Sequence, residues 1–286
     1  MLTRRAGLAG ALALSACASR PEPTNEDRVA RLLADLEQEV GGRVGLAALD
    51  LSTGARIAYR ANERFAMCSS FKWLLACFAL RRLDPDERIA YESSDLVFYS
   101  PVTSEHVGDG MTVRDLCEAT VVTSDNTAAN LLLRRLDGPR RFTAFLQNHV
   151  TMGIRLDRYE PALNENAPGD PRDTATPTAM VRALRRLLVD DGMARGDQDR
   201  VLRWMIASRT GLDRLRGGFP ADWRAGDKTG TSDETNNATV DVAIAWPPNK
   251  SGPILAAAFL SNSTVDLAAR KAAHARIGRM IAAAWG

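Results

Sequence analysis

Lysine, histidine and cysteine are all scarce in this 286-residue chain. Of its 37 basic residues only Lys72, Lys228, Lys250 and Lys271 are lysine; the other 33 are arginine. Arginine stays protonated in proteins, so nearly all of the positive charge is fixed, and few side chains could serve as a titratable amine. The three histidines, His106, His149 and His274, stand far apart and show no metal-ligand spacing. Four cysteines, Cys17, Cys68, Cys77 and Cys117, are too few for a disulfide-built fold. Charge of one sign is lacking too. The formal net charge is +2, and without Arg4 and Arg5 the basic and acidic residues are equal at 35. A neutral chain without a basic cluster gives no reason to expect nucleic acid as a partner. There is no glycine-rich phosphate loop. What remains, with 45% apolar and 25% charged residues, is ordinary globular usage, long enough for one large or two smaller compact units.

The first residues, "MLTRRAGLAGALALSAC", read as an export signal over 1–16 followed by a tether over 17–23. Arg4 and Arg5 form a charged start, and the apolar run Ala6 to Ala16 is too short to span a bilayer. "LSAC" resembles a bacterial lipobox, with Cys17 the lipidated residue, and "TRRAGL" resembles a twin-arginine signal. Cleavage after Ala18 is the alternative, since Ala16-Cys17-Ala18 fits the small-x-small rule. Either way the expectation is an exported protein, in the periplasm on a lipid or soluble there.

Helical periodicity begins at "PEPTNEDRVARLLADLEQEVGG". Thr24 is the expected cap, Val29, Leu32, Leu33, Leu36 and Val40 the apolar face, and Gly41-Gly42 the stop. "RVGLAALDLSTGARIAYR" reads as a hairpin around Ser52-Thr53-Gly54. From about 62 to 208 the pattern is mostly helical; "ATPTAMVRALRRLLVDDG" has Thr176 as cap and Pro177 at the first helical position. Strands return in "WRAGDKTGT", "VDVAIAWPP" and "GPILAAAFLSNS", and a helix closes the chain. Three late strands and the early hairpin can form one antiparallel sheet. The expected fold is α/β, an α+β sandwich: a five-stranded antiparallel sheet flanked by the terminal helices, from residues 24–60 and 209–286, plus an all-α lobe from 61–208. A cleft between two lobes is a common place for a small-molecule site.

Three short stretches carry chemistry. In "SSFKWLLACFALRRL", Ser69 and Lys72 are three apart on a helix that reads as buried, so hydroxyl and amine can meet. Burial lowers a lysine pKa, and a neutral amine can take the hydroxyl proton. Lys228 lies in "DKTGT", where a cation, a hydroxyl and a glycine suit a bound carboxylate. "SDN" (Ser124, Asp125, Asn126) opens a helical run, and taken alone it reads as a helix cap.

In this order the three stretches resemble the active-site set of penicillin-interacting serine enzymes. A fourth, "RYEPALNENAPGDPRDT", resembles the omega loop of class A β-lactamases. "DLVFYSPVT" and "DGMTVRDLC" extend the resemblance over the whole mature chain. It implies hydrolysis of β-lactam substrates without cofactor or metal, by a monomer. Ser69 would be the nucleophile, with Lys72 or Glu160 as base. Ser124 would relay a proton to the lactam nitrogen. The N–H groups of Ser69 and Thr231 would form the oxyanion hole, and Glu160 and Asn164 would hold the hydrolytic water. Asn126 would position the substrate side-chain amide and Asn130 would position Glu160. Lys228, Thr229 and Gly230 would line the carboxylate site, helped by Arg214, because Val240 stands where other members place an arginine. Tyr99 would be the aromatic gatepost, and Arg158 and Asp173 would pair across the neck of the loop. Two disulfides of the class look doubtful or absent: Cys117 faces Ala76 with Cys77 one residue on, and the partner of Cys68 reads Ser232. A D-Ala-D-Ala carboxypeptidase or transpeptidase, or a penicillin-binding sensor, remains the alternative; the Glu160 loop counts against both.

Overall fold

The computed structural model describes residues 25–165, 167–232 and 237–286. The export signal, Cys17, the tether and the Thr24 cap lie outside the described residues.

In chain order the elements are α1 (Asn25–Val40), β1 (Arg43–Asp50), β2 (Arg56–Tyr59), β3 (Phe65–Ala66), α2 (Lys72–Arg82), β4 (Arg88–Ile89), β5 (Met111–Thr112) and α3 (Val113–Val122). There follow α4 (Asn126–Arg135), α5 (Gly138–His149), β6 (Ile154–Arg155), β7 (Thr174–Ala175), α6 (Pro177–Leu184) and α7 (Arg195–Ala207). The chain ends in β8 (Arg224–Thr231), β9 (Thr239–Trp246), β10 (Ile254–Ser261) and α8 (Leu267–Trp285). The main sheet has the order β2-β1-β10-β9-β8, with every neighbouring pair antiparallel. The five strands are those expected from the sequence.

Side chains alternate across a strand, and here both faces are buried. Val44, Leu46 and Ala48 of β1, with Ile254, Ala256, Ala258 and Leu260 of β10, face α1 and α8. From α1 this layer takes Val29, Leu33, Leu36 and Val40; Leu32, at the edge of the stripe, stays 38% exposed. The opposite residues, Ala47, Leu49, Leu255, Ala257 and Phe259, join Val240, Val242 and Ile244 of β9 in one cluster with α2, α3, α5 and α6. The helical core is therefore continuous with one face of the sheet. At α6, Thr176 caps as expected by accepting from Ala179 N, and the helix closes in a π turn over Arg185–Val189.

Two small sheets within the helical region have no counterpart in the sequence reading. β4 pairs with β5, and β3 pairs with β7, which also pairs with β6. Strands of two residues are too short to show a period. The β3-β7-β6 sheet matters for the site: β3 ends three residues before Ser69, and β7 begins directly after Asp173 at the neck of the omega loop. Met67 N also donates to Asp173 O at 3.1 Å.

Candidate active site

Ser69 lies in a 3-10 turn, Cys68–Phe71, that runs straight into α2. Cys68 has φ +42°, a left-handed conformation that turns the chain sharply from β3 into this helix. One turn later Lys72 is fully buried. Among the described residues no hydrogen bond joins Ser69 directly to Lys72. Both groups converge instead on one oxygen of Glu160: Ser69 Oγ donates to Oε1 at 3.0 Å, and Lys72 Nζ lies 3.0 Å from the same atom. A carboxylate offers more acceptor sites than a hydroxyl, so it takes both donors. Burial pushes the Lys72 pKa below the usual lysine range, and the neighbouring Glu160 offsets part of this.

Glu160 is held from several sides. Its backbone N–H donates to Asn130 Oδ1 and its carbonyl accepts from Asn130 Nδ2, each at 2.9 Å. Asn164 Nδ2 donates to Oε2 at 2.6 Å, and Asn164 Oδ1 has no partner among the described residues. The loop neck is closed by Asp173, fully buried. It accepts from Arg158 Nε at 2.6 Å and from the backbone of Asp157 and Arg158 at 2.7 and 3.0 Å.

The SDN stretch does two jobs at once. Asp125 is the N-cap of α4, accepting from Ala128 N at 2.8 Å, and it also takes Val102 N, Thr103 N and the Thr103 hydroxyl. The cap reading is therefore right for Asp125. Ser124, with φ +64°, is turned the other way, toward the lysines. Its Oγ accepts from Lys228 Nζ at 3.0 Å and lies 3.5 Å from Lys72 Nζ. Lys72 further donates to Ser124 O at 2.8 Å and Asn126 Oδ1 at 2.5 Å. Asn126 Nδ2 donates to Phe98 O, and its N–H to Tyr99 O, so the exposed aromatic pair Phe98–Tyr99 hangs from this residue.

β8 forms the facing wall. A Cβ on Gly230 would stand 2.7 Å from Met67 O and 3.1 Å from Ser69 N, so only glycine lets the strand run against the nucleophile turn. Lys228 is fully buried, and burial together with the charge of Lys72 lowers its pKa to about 7. Thr229 Oγ1 donates to Thr210 Oγ1 at 2.6 Å. Thr231 ends the strand exposed, and its hydroxyl accepts from Arg214 Nη2 at 2.7 Å. Arg214 Nη1 donates to Gly230 O and Val240 O at 2.7 and 2.8 Å.

Every sequence-chosen site residue among the described ones thus gathers between α2, α4, β8 and the omega loop or at its rim. The sequence reading missed Thr210, Phe98 and two buried acids behind β8, Asp227 and Asp241. Burial raises the pKa of both acids, and Arg216 meets Asp227 at 3.2 Å. The described cysteines, Cys68, Cys77 and Cys117, are buried thiols. Near Cys68, Ser232 and Ala238 exchange hydrogen bonds, Ala238 N to Ser232 Oγ at 2.8 Å and Ser232 N to Ala238 O at 3.0 Å.

The beta-lactamase enzyme family matches over residues 26–285. Beta-lactamase AST-1 of Nocardia asteroides is 44% identical over 259 residues, 88% of this chain and 82% of that protein. The carbapenem-hydrolyzing beta-lactamase KPC of Klebsiella oxytoca is 42% identical over 233 residues, 80% of this chain and 79% of that protein. Among solved structures, an ancestral (GNCA) class A beta-lactamase superposes with a TM-score of 0.87 at 52% identity, covering 90% of this chain and 100% of that one. Matched by the family model over nearly its whole length and similar to solved class A structures, the chain belongs to the beta-lactamase enzyme family, within class A.

Proposed function

We propose that the protein hydrolyses the β-lactam ring of penicillins and cephalosporins through an acyl-enzyme on Ser69, and so confers antibiotic resistance. The observation that carries the reading is the shared Glu160 Oε1, 3.0 Å from both Ser69 Oγ and buried Lys72 Nζ. Ser69 Oγ attacks the lactam carbonyl while its proton passes to Glu160 or to the neutral amine of Lys72. The N–H groups of Ser69 and Thr231 receive the developing oxyanion; donors fixed before the reaction cost no reorganisation. Ser124 takes lysine N–H groups on its lone pairs, which leaves its own hydrogen for the departing lactam nitrogen. Lys228, Thr229 and Thr231, backed by Arg214, hold the substrate carboxylate, with Gly230 keeping the strand close. Asn126 takes the side-chain amide, Tyr99 covers the cleft mouth, and Asn130 positions Glu160. Water between Glu160 and the unpartnered Asn164 Oδ1 then attacks the ester, the first carboxylate acting as general base. The Arg158–Asp173 pair keeps the loop in place.

The test is a nitrocefin assay with the wild type, Ser69→Ala and Glu160→Ala side by side. The wild type should turn over, Ser69→Ala should show neither turnover nor adduct, and Glu160→Ala should be severely slowed. Turnover in Ser69→Ala would overturn the reading.

The same reading makes carbapenems the poorer substrates, because Cys68 is a thiol and Ser232–Ala238 hydrogen bonds stand where a bridge would brace the oxyanion hole. The protein acts as a monomer with a cleft between the lobes 24–60 plus 209–286 and 61–208. It is exported and held on a membrane through lipid on Cys17; Cys17→Ser should move it to the soluble fraction. Among the described residues no helix is long and apolar enough to cross a membrane.

A further inference from the structure

The buried histidine of α8 takes no part in the scheme above. His274 is fully buried, and its Nε2 lies 3.1 Å from Thr239 Oγ1 at the head of β9. Thr239 stands opposite Thr231 in the β8–β9 ladder. Thr231 in turn carries the hydroxyl that Arg214 meets at 2.7 Å, and Val240, next to Thr239, supplies a carbonyl to the same guanidinium. Ring, strand head and arginine form one continuous layer behind the carboxylate end of the cleft.

The polar atoms of this layer are unevenly filled. His274 Nδ1, Arg270 Nη1 and Arg214 Nε are buried and have no hydrogen-bond partner among the described residues. Arg270 precedes His274 by four residues on α8, hence on the same face. Burial, then the charge of Arg214 and that of Arg270, hold the His274 pKa well below the usual histidine value, so the ring is neutral. A neutral imidazole has one N–H and one lone pair. With the hydrogen on Nε2 it donates to Thr239 Oγ1, and the lone pair falls on Nδ1, which has no partner among the described residues. The other tautomer would add one more buried donor without a partner.

We propose that His274, as its Nε2–H tautomer, is a positioning residue for substrate-carboxylate recognition: it fixes Thr239 and thereby the end of the β8–β9 ladder at which Arg214 holds Thr231. It touches no substrate, and the inference rests on the reading above that Thr231 and Arg214 belong to the carboxylate wall.

The experiment compares nitrocefin with its carboxyl methyl ester in the wild type, His274→Leu, His274→Gln, Thr239→Val and Arg214→Leu. His274→Leu should raise KM for nitrocefin about two- to tenfold, the range for one lost hydrogen bond. Its kcat, and kcat/KM for the ester, should stay close to wild type. Thr239→Val breaks the same bond from the other side and should give the same split. His274→Gln, whose amide can donate to Thr239, should restore KM. An equal effect on both substrates, no effect on either, or failure of the glutamine to restore KM overturns the proposal. Should His274→Leu not fold, Thr239→Val decides alone, and an unchanged KM there overturns it. Arg214→Leu separates the two readings: if it fails to distinguish nitrocefin from the ester, the carboxylate wall itself is wrong, whatever the histidine variants do.

Discussion

Glu160→Gln should separate the two halves of the reaction. In the wild type the carboxylate takes Ser69 Oγ and Lys72 Nζ on Oε1, each at 3.0 Å, and Asn164 Nδ2 on Oε2 at 2.6 Å. An amide of the same shape replaces one oxygen by a donor. Turned one way it faces Asn164 Nδ2 donor to donor; turned the other way it faces the lysine amine and the serine hydroxyl. General-base activation is typically worth about 10²–10⁴-fold, or about 3–5 kcal/mol of barrier, and deacylation should slow by that amount. Acylation should fall less, because Lys72 remains. The charge and hydrogen bond of Glu160 are what raise the Lys72 pKa against burial. Without them the pKa drops further and more of the amine is neutral, ready to accept the Ser69 proton. Rapid-quench sampling with intact-mass detection should show one adduct accumulating on the peptide that contains Ser69. Nitrocefin should give a burst of about one enzyme equivalent followed by slow turnover, and the pH profile of the burst should move to more acidic values than in the wild type. Steady-state turnover close to wild type, or slowing without accumulation of the adduct, would refute the assignment of Glu160 to deacylation.

Asp173→Asn should lower stability, since it leaves Arg158 beside an uncharged amide at a fully buried position. Arg158 is only part-buried and keeps Glu165, so the cost is that of one charge-assisted hydrogen bond, about 1.5–3 kcal/mol, a fall in Tm of roughly 3–6 °C at this size, to be read by calorimetry; a shift under about 1 °C would show that the loop neck needs no ion pair. For Lys228, a pKa of about 7 means the ammonium is present below that pH and is lost as pH rises through it. KM for carboxylated β-lactams should therefore rise above about pH 7 while KM for the methyl ester stays level. A flat KM from pH 6 to 9 would place the anion elsewhere. In substrate breadth, kcat/KM for cephalothin should exceed that for imipenem by at least about tenfold; equal values would mean that the Thr231–Arg214 pair, and not the missing bridge beside Ser69, sets the spectrum.

The parts of this protein legible in the sequence are those in which one residue answers to one strong local constraint. The stripe of α1, the hairpin of β1 and β2, and the α6 cap at Thr176 follow from periodicity and hydrogen-bond chemistry within a few residues. The β3-β7-β6 sheet does not, because each strand has two residues and the pairing joins positions about 110 apart in the chain. It is nevertheless this pairing that brings the Glu160 loop to Ser69. The same limit applies to the Ser69–Lys72 pair. Spacing put Ser69 within reach of Lys72, but it could not show that a carboxylate from 91 residues away takes both on one oxygen. His274 and the acids behind β8 were invisible for the same reason, since their partners come from other elements.

The SDN stretch shows why the bland reading and the chemical reading of a motif need not compete. Asp125 satisfies the backbone of α4 and of the Val102–Thr103 turn, as a capping residue should. In doing so it fixes the chain directly after Ser124, which is held at φ +64°, a region L-residues seldom occupy. That conformation turns the Ser124 hydroxyl toward Lys72 and Lys228 while its neighbour points into the helix cap. The strain is offset by the buried hydrogen bonds of Asp125. A substitution such as Asp125→Ala would then act on catalysis without touching substrate, by releasing the one residue whose backbone conformation aims the proton donor at the leaving group.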